Sequence, residues 1–136
     1  MDDGKRLIRI TSHALGVPSR VRVYVYDDPD RMRRDAANFS GDQSNLEPSI
    51  RGVTHAWTDD QDRAGLVTMS LWRGALGTEV ITHEMHHATT ALYGATLPDV
   101  IDRAEHYTHH NEPHAYLHGE MASRLVNRLY ALGYYA

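Results

Sequence analysis

The stretch that most restricts how this chain can fold begins at Thr78 and reads TEVITHEMHHATTALYG. Its apolar residues recur at the spacing of one helical face, and Gly94 is a suitable residue to end a helix. The members of this apolar stripe are Ile81, Met85, Ala88 and Leu92. The period therefore predicts a helix over residues 78–93.

The same stretch contains the pattern H-E-x-x-H, formed by His83, Glu84 and His87. Residues four apart on a helix lie one turn apart on the same face, so the two histidines can offer nitrogens to one zinc ion at ~2.0–2.1 Å. Glu84 can then reach a water beside the ion and take its proton. The apolar stripe faces elsewhere. We therefore predict His83 and His87 as zinc ligands and Glu84 as the general base; a solvated histidine patch and a His83–His86 pair are the alternatives.

A hydrolytic zinc site requires three protein ligands and one open position. The known extension H-E-x-x-H-x-x-G-x-x-H does not fit, because Thr90 and Tyr93 stand at its glycine and last histidine. We predict Glu112 as the third ligand, with an acid that merely favours a helix N-terminus as the alternative. The residues on the face of Glu112 are small apart from Tyr116, and they predict close packing against the first helix. These residues are Ala115, Tyr116, Gly119, Ala122 and Ser123.

Histidine is abundant, with ten in the chain, whereas cysteine is absent, so any metal must be bound by His, Asp or Glu. Glu120 is expected to be exposed and off the site. His114 and His118 are four apart on the side of the last helix opposite Glu112; a wet surface is the favoured interpretation, and a second metal-binding pair is the alternative. Other candidates for the third ligand are Glu105, His106, His109 and His110.

The rest of the chain predicts an α+β domain. Alternating Val and polar residues over 21–26 predict a strand with one buried face. Asp28 and Pro29 then predict the start of a helix that ends near Phe39. Further predicted elements are strands at 52–58 and 65–72 joined as a hairpin, a helical piece at 98–108, and a last helix from an Asn111 N-cap to about Leu132, ended by Gly133.

These elements fit one domain over residues 1–136, a small and mostly antiparallel sheet packed against the H-E-x-x-H helix and a C-terminal helix. The net charge of −4 argues against a nucleic-acid partner. No apolar run is long enough to span a membrane, and no signal peptide is evident. We therefore expect a cytoplasmic protein without a membrane partner.

The order GLVTMSL, THEMHHATTALYG and NEPHAY resembles a minimal zincin of the gluzincin type over about residues 52–126. The E-x-x-A at Glu112–Ala115 is similar to that of ImmA/IrrE-type metallopeptidases. The resemblance implies a zincin-like fold, Zn²⁺ bound by His83, His87 and Glu112, and Glu84 as general base in peptide-bond hydrolysis. The 24 residues between His87 and Glu112 do not identify a subfamily.

We therefore expect a zinc metalloendopeptidase acting on a peptide or protein substrate. The strand GLVTMSL is expected to be an edge strand that an extended substrate could join. Glu79 is a candidate to support the ligand His83. A zinc-containing interaction module without turnover is the alternative. Candidate donors to the developing oxyanion are Tyr93, Tyr107, His109, His110 and Tyr116.

Overall fold

The fold was obtained as a computed structural model, which describes residues 4–56, 66–94 and 112–135. Strands and helices follow one another in the order expected of an α+β domain. In chain order they are β1 (Lys5–Ser12), β2 (Ser19–Tyr26), α1 (Pro29–Ser40), a short 3-10 helix (Gln43–Leu46), β3 (Gly52–Ala56), β4 (Leu66–Trp72), α2 (Thr78–Gly94) and α3 (Glu112–Ala131).

The four strands form one mixed sheet in the order β1-β2-β4-β3. β1 pairs with β2, and β3 with β4, in antiparallel register, while β2 and β4 are parallel. The predicted α+β class, the mostly antiparallel sheet and the β3–β4 pairing are confirmed. The expectation that GLVTMSL is an edge strand is wrong, because β4 is hydrogen-bonded on both sides; β3 is the edge strand at that end.

The alternation along β2 separates the two faces of the sheet. Val21, Val23 and Val25 are almost fully buried in the main core, which α2 and α3 cover. Tyr24 and Tyr26 point to the other face, where Ala36 of α1 lies near them. The sheet therefore packs against the H-E-x-x-H helix and the C-terminal helix as predicted, with α1 on the opposite side.

The C-terminal helix buries a different face from the one that the sequence suggested. Its fully buried residues recur every four positions and are all large. The predicted small-residue face is wrong, since Tyr116 is 69% exposed and Ala115 and Gly119 are also exposed. A row of large apolar side chains removes more apolar area from water than small ones do, and so determines which face packs. The row consists of Leu117, Met121, Leu125 and Leu129.

The predicted ends of the helices agree with the structure to within a residue or two. The side chain of Asp28 accepts a hydrogen bond from the backbone N–H of Asp30, capping α1, and Pro29 is its first residue. Gly133 follows α3 with a φ of 82°, in the left-handed region that glycine tolerates. The helical piece at 98–108, the Asn111 cap and residues 57–58 lie outside the described residues.

Within the described ranges, no helix has both the length and the apolar composition that crossing a bilayer requires.

Candidate functional site

The site is built on the middle turns of α2, whose inner face is fixed by the core. Met85 and Ala88 have no exposed surface, and Ile81 and Leu92 are each 3% exposed. Burial of this row, which the sequence predicted, leaves the histidines of the H-E-x-x-H pattern on the outer side of the helix, open to a ligand.

His83 and His87 converge on one point above α2. Their Nε2 atoms are 3.2 Å apart, and their rings meet edge to face with centroids separated by 4.8 Å. Two nitrogens that bind one tetrahedral zinc ion lie about 3.3–3.4 Å apart. The spacing of the pair therefore fits a shared ion. The His83 side chain is 65% exposed, so the site is accessible from outside.

Glu84 is a buried acid beside this pair. Its side chain is 7% exposed, and Oε2 lies 3.9 Å from the Nε2 atom of His83. The hydroxyl of Thr54 on β3 donates a 2.7 Å hydrogen bond to the other oxygen, Oε1. A carboxylate removed from water is costly unless it is hydrogen-bonded. The bond from Thr54 offsets part of that cost and leaves Oε2 directed toward the histidine.

Gly52 on the edge strand makes room for this carboxylate. A Cβ at position 52 would lie 2.9 Å from the Cγ atom and 3.2 Å from the Cδ atom of Glu84. Contacts that short do not occur without a shift of one group or the other. The edge strand β3 therefore fixes the position of Glu84 in two ways, through the Thr54 hydroxyl and through the missing side chain of Gly52.

The structure does not bring Glu112 to the two histidines. Its side chain is exposed at the first residue of α3. Counting about 100° per residue, it lies about 140° from Leu117 and about 180° from Met121, away from the buried row. Ala115, one turn further along, does line the cleft next to His83 and His87. Among residues 4–56, 66–94 and 112–135, no three His, Cys, Asp or Glu side chains are arranged to hold a metal ion. The histidine pair thus fits the ion, and the third ligand stays a prediction.

The cleft beside the pair is lined mainly by imidazoles. It has a volume of about 560 Å³, and five of the seven described residues that line it are histidines. The sequence placed His86 off the site and favoured a wet surface for His114 and His118, but the three rings share this cleft with the predicted ligands. The i, i+4 spacing on each helix was visible in the sequence, whereas the face of α3 that packs toward α2, and so brings His114 and His118 to the cleft, was mispredicted. The histidines are His83, His86, His87, His114 and His118.

Two acids near the site are engaged elsewhere. Glu79, suggested as a support for His83, is 84% exposed and lies 3.3 Å from the guanidinium of Arg51 instead. Glu120 accepts a hydrogen bond from the Ser12 hydroxyl at 3.0 Å and pairs with Arg124 at 2.7 Å. Both acids thus have partners other than the histidine pair, and Glu120, which was expected to be exposed, is only partly exposed.

The candidate oxyanion donors fall into two groups. Tyr93 is buried, and its ring stacks on His114 with centroids 5.2 Å apart. Tyr116 is exposed and points away from the core. The remaining candidates lie outside the described residues, as do all four alternative candidates for the third metal ligand. Those residues are Glu105, His106, Tyr107, His109 and His110.

His55 lies next to Thr54 on β3 but faces the opposite side of the sheet. Its ring contacts the ring of Phe39, with centroids 5.2 Å apart. Burial lowers the pKa of His55 below its usual value, and the negative charges of Glu84 and Asp42 offset part of that lowering. The contact with Phe39, on the face of the sheet away from the histidine pair, indicates a packing role.

Comparison of the chain with protein-family models, curated proteins and solved structures finds no significant match.

Proposed function

We propose that the chain is a zinc-dependent metallopeptidase that hydrolyses peptide bonds. The observation that supports this most is the grouping on α2, in which two imidazole nitrogens 3.2 Å apart adjoin a buried carboxylate that β3 orients. His83 and His87 would hold the ion. Glu112 is exposed and away from this pair in the structure, so it would become the third ligand only if the first turn of α3 moved toward them. When bound, zinc supplies a Lewis acid that polarises the scissile carbonyl and makes water a nucleophile near neutral pH.

The work of Glu84 in this proposal is proton transfer. As the oxygen of water adds to the carbonyl carbon, Oε2 takes a proton from it, and the same proton passes to the nitrogen of the departing amine when the C–N bond breaks. The hydrogen bond from Thr54 keeps Oε1 occupied, so Oε2 is the oxygen that stays directed toward His83 and the substrate.

The edge strand β3 is the element that suits an extended substrate. Thr54 of this strand contacts Glu84, and the strand is paired on one side only within the described sheet. A peptide added to that free edge through main-chain hydrogen bonds would run past the carboxylate of Glu84. The proposed substrates are therefore unfolded or extended polypeptide segments.

Glu84→Gln is the test of the proposed chemistry. The amide keeps the size of the side chain but cannot accept the proton, so cleavage of a denatured-protein or peptide library by the zinc-loaded, tag-free chain should fall by about 10²–10⁴-fold. Zinc content should not change. The matched control is Glu79→Gln, an exposed acid on the same helix, which should retain activity. Cleavage that survives Glu84→Gln would contradict the proposal, and zinc binding without any cleavage would favour the interaction module.

The role of Glu112 is tested separately by the zinc affinity of Glu112→Gln. Loss of a ligand should weaken binding by more than the ~10–100-fold that loss of an outer-shell partner costs. Glu120→Gln, an acid two turns along the same helix, should bind zinc as the wild type does. An unchanged affinity in Glu112→Gln would assign the third ligand to another residue.

A further inference from the structure

The cleft between α2 and α3 contains a second group of imidazoles that the proposed hydrolytic site does not use. His114 and His118 stand one turn apart on α3, and His86 faces them from α2. The ring of His86 lies 6.1 Å from that of His114 and 6.3 Å from that of His118, measured between centroids. Three histidines from two helices therefore surround one region of the cleft.

His118 shows the clearest unmet bonding requirement of the three. Its Nε2 atom is buried and has no hydrogen-bond partner among the residues that the structure describes. A buried polar atom without a partner costs about 1–3 kcal/mol, and native proteins rarely leave one unsatisfied. His118 lines the cleft, so a turn of its ring toward the cleft would let a ligand supply the missing bond.

His114 is held in place by its surroundings. Its Nε2 atom lies 3.2 Å from the Thr89 hydroxyl, and that hydroxyl donates to the carbonyl of Met85 at 2.9 Å. Tyr93 stacks on the ring, with an interplanar angle of 19°. Since the Thr89 hydroxyl already donates to Met85, Nε2 of His114 is the donor in this contact, and a metal must bind Nδ1 or replace the Thr89 contact. The stacked and hydrogen-bonded ring has little freedom to lose on binding.

The chemistry of the lining selects the kind of ligand. Besides the histidines, the cleft is lined only by Thr82 and Ala115 within the described residues. Imidazole nitrogens without carboxylates or thiolates suit Zn²⁺, Ni²⁺ and Cu²⁺, and do not suit Mg²⁺ or Ca²⁺.

We propose that His86, His114 and His118 form a second transition-metal site, which joins α2 to α3 and is distinct from the His83–His87 pair. Two rings that share a tetrahedral ion have centroids about 5 Å apart, so each separation must shorten by about 1 Å on binding. The exposed ring of His86 can make that adjustment by a change of rotamer. The described residues contain no ready-made group of three ligands, so the proposal requires the ion to assemble the site.

Zinc titration of the tag-free chain tests this site, and the His83–His87 pair is removed by mutation so that only the second site can bind. The His83→Gln/His87→Gln chain should bind one Zn²⁺ per molecule by calorimetry, and the wild type should bind two. Adding His118→Gln to the double variant should weaken the remaining binding by more than ~100-fold. The matched control is His13→Gln on the same background, which removes an exposed histidine distant in the chain and should leave one ion bound.

Two results would overturn the second site. One is a folded His83→Gln/His87→Gln chain, judged by circular dichroism, that binds no zinc. The other is zinc binding that is weakened neither by His118→Gln nor by His114→Gln, which would identify adventitious binding at the surface. The His114→Gln variant also replaces His118→Gln in the test if His118→Gln does not fold. A third result would separate the two proposals. If the wild type binds one zinc ion, and that ion is lost in His118→Gln but kept in His83→Gln/His87→Gln, the second site is supported and the proposed peptidase is contradicted.

Discussion

The two helices that border the cleft hold their polar side chains in different ways. On α2, Glu84 is buried next to Met85 and tied to β3, so its position is set by the core. On α3, Glu112 and Tyr116 are exposed, and the first fully buried residue is Leu117. The part of the site that would move protons is therefore preorganised, whereas the part that would complete the ligand set lies on a turn that the core does not fix.

Substitution at adjacent positions of α3 should give the largest contrast between buried and exposed residues. Leu117→Ala should lower the free energy of unfolding by about 2–5 kcal/mol, because it leaves a cavity at a position with no exposed surface. Tyr116→Ala should change it by no more than about 0.5 kcal/mol. Urea unfolding measures both, and equal losses of stability would show that Leu117 does not anchor α3 in the core.

The contact between the edge strand and α2 can be broken at Gly52. Gly52→Ala should destabilise the fold by about 1–3 kcal/mol, because the added Cβ would lie 2.9 Å from the Cγ atom of Glu84. It should also lower peptidase activity by displacing that carboxylate. Gly119→Ala is the control, since nothing lies within 4 Å of its Cβ position, and it should stabilise α3 by about 0.5–1 kcal/mol. Two glycine variants of equal stability would refute the close contact.

The hydrogen bond to Glu84 gives a smaller effect. Thr54→Val removes the hydroxyl that donates to Oε1 at 2.7 Å and should cost about 1–1.5 kcal/mol in unfolding experiments. Thr54→Ser keeps the donor and should recover most of the stability and of any peptidase activity. If Thr54→Val matches the wild type in both readouts, β3 does not orient the carboxylate.

The smallest predicted effect concerns pH and the opposite face of the sheet. Burial lowers the pKa of His55 in the folded state, so the unfolded chain binds a proton more readily than the folded chain does. Above about pH 6.5, the usual pKa of histidine in an unfolded chain, His55 therefore does not lower the free energy of unfolding. As the pH falls toward and through the lower pKa that His55 has in the folded chain, the free energy of unfolding decreases. Urea midpoints between about pH 7 and pH 5 should fall less in His55→Gln than in the wild type. An equal fall would contradict the burial of the ring.

Local periodicity was enough to predict the elements that carry the site. The stripe on α2 and the Asp28 cap of α1 depend on residues within a few turns of one another, and both predictions are confirmed. The H-E-x-x-H spacing likewise predicted that His83 and His87 would share one face of α2.

Features that depend on distant pairing were not visible in the sequence. The parallel pairing of β2 with β4 places β4 inside the sheet, and no local pattern encodes it. The buried face of α3 was also mispredicted, because its large and small rows have similar spacing and only the tertiary packing decides between them. The contact of Thr54 with Glu84 joins residues 30 positions apart and needed the fold to reveal it.

The central claim, that His83 and His87 share one zinc ion beside Glu84, is tested most directly by an anomalous difference map from crystals of the tag-free chain grown with Zn²⁺. We predict a peak at about 2.0–2.1 Å from the Nε2 atoms of both histidines, close to the Glu84 carboxylate. A map with zinc elsewhere, or with no peak between these two rings, would contradict the account.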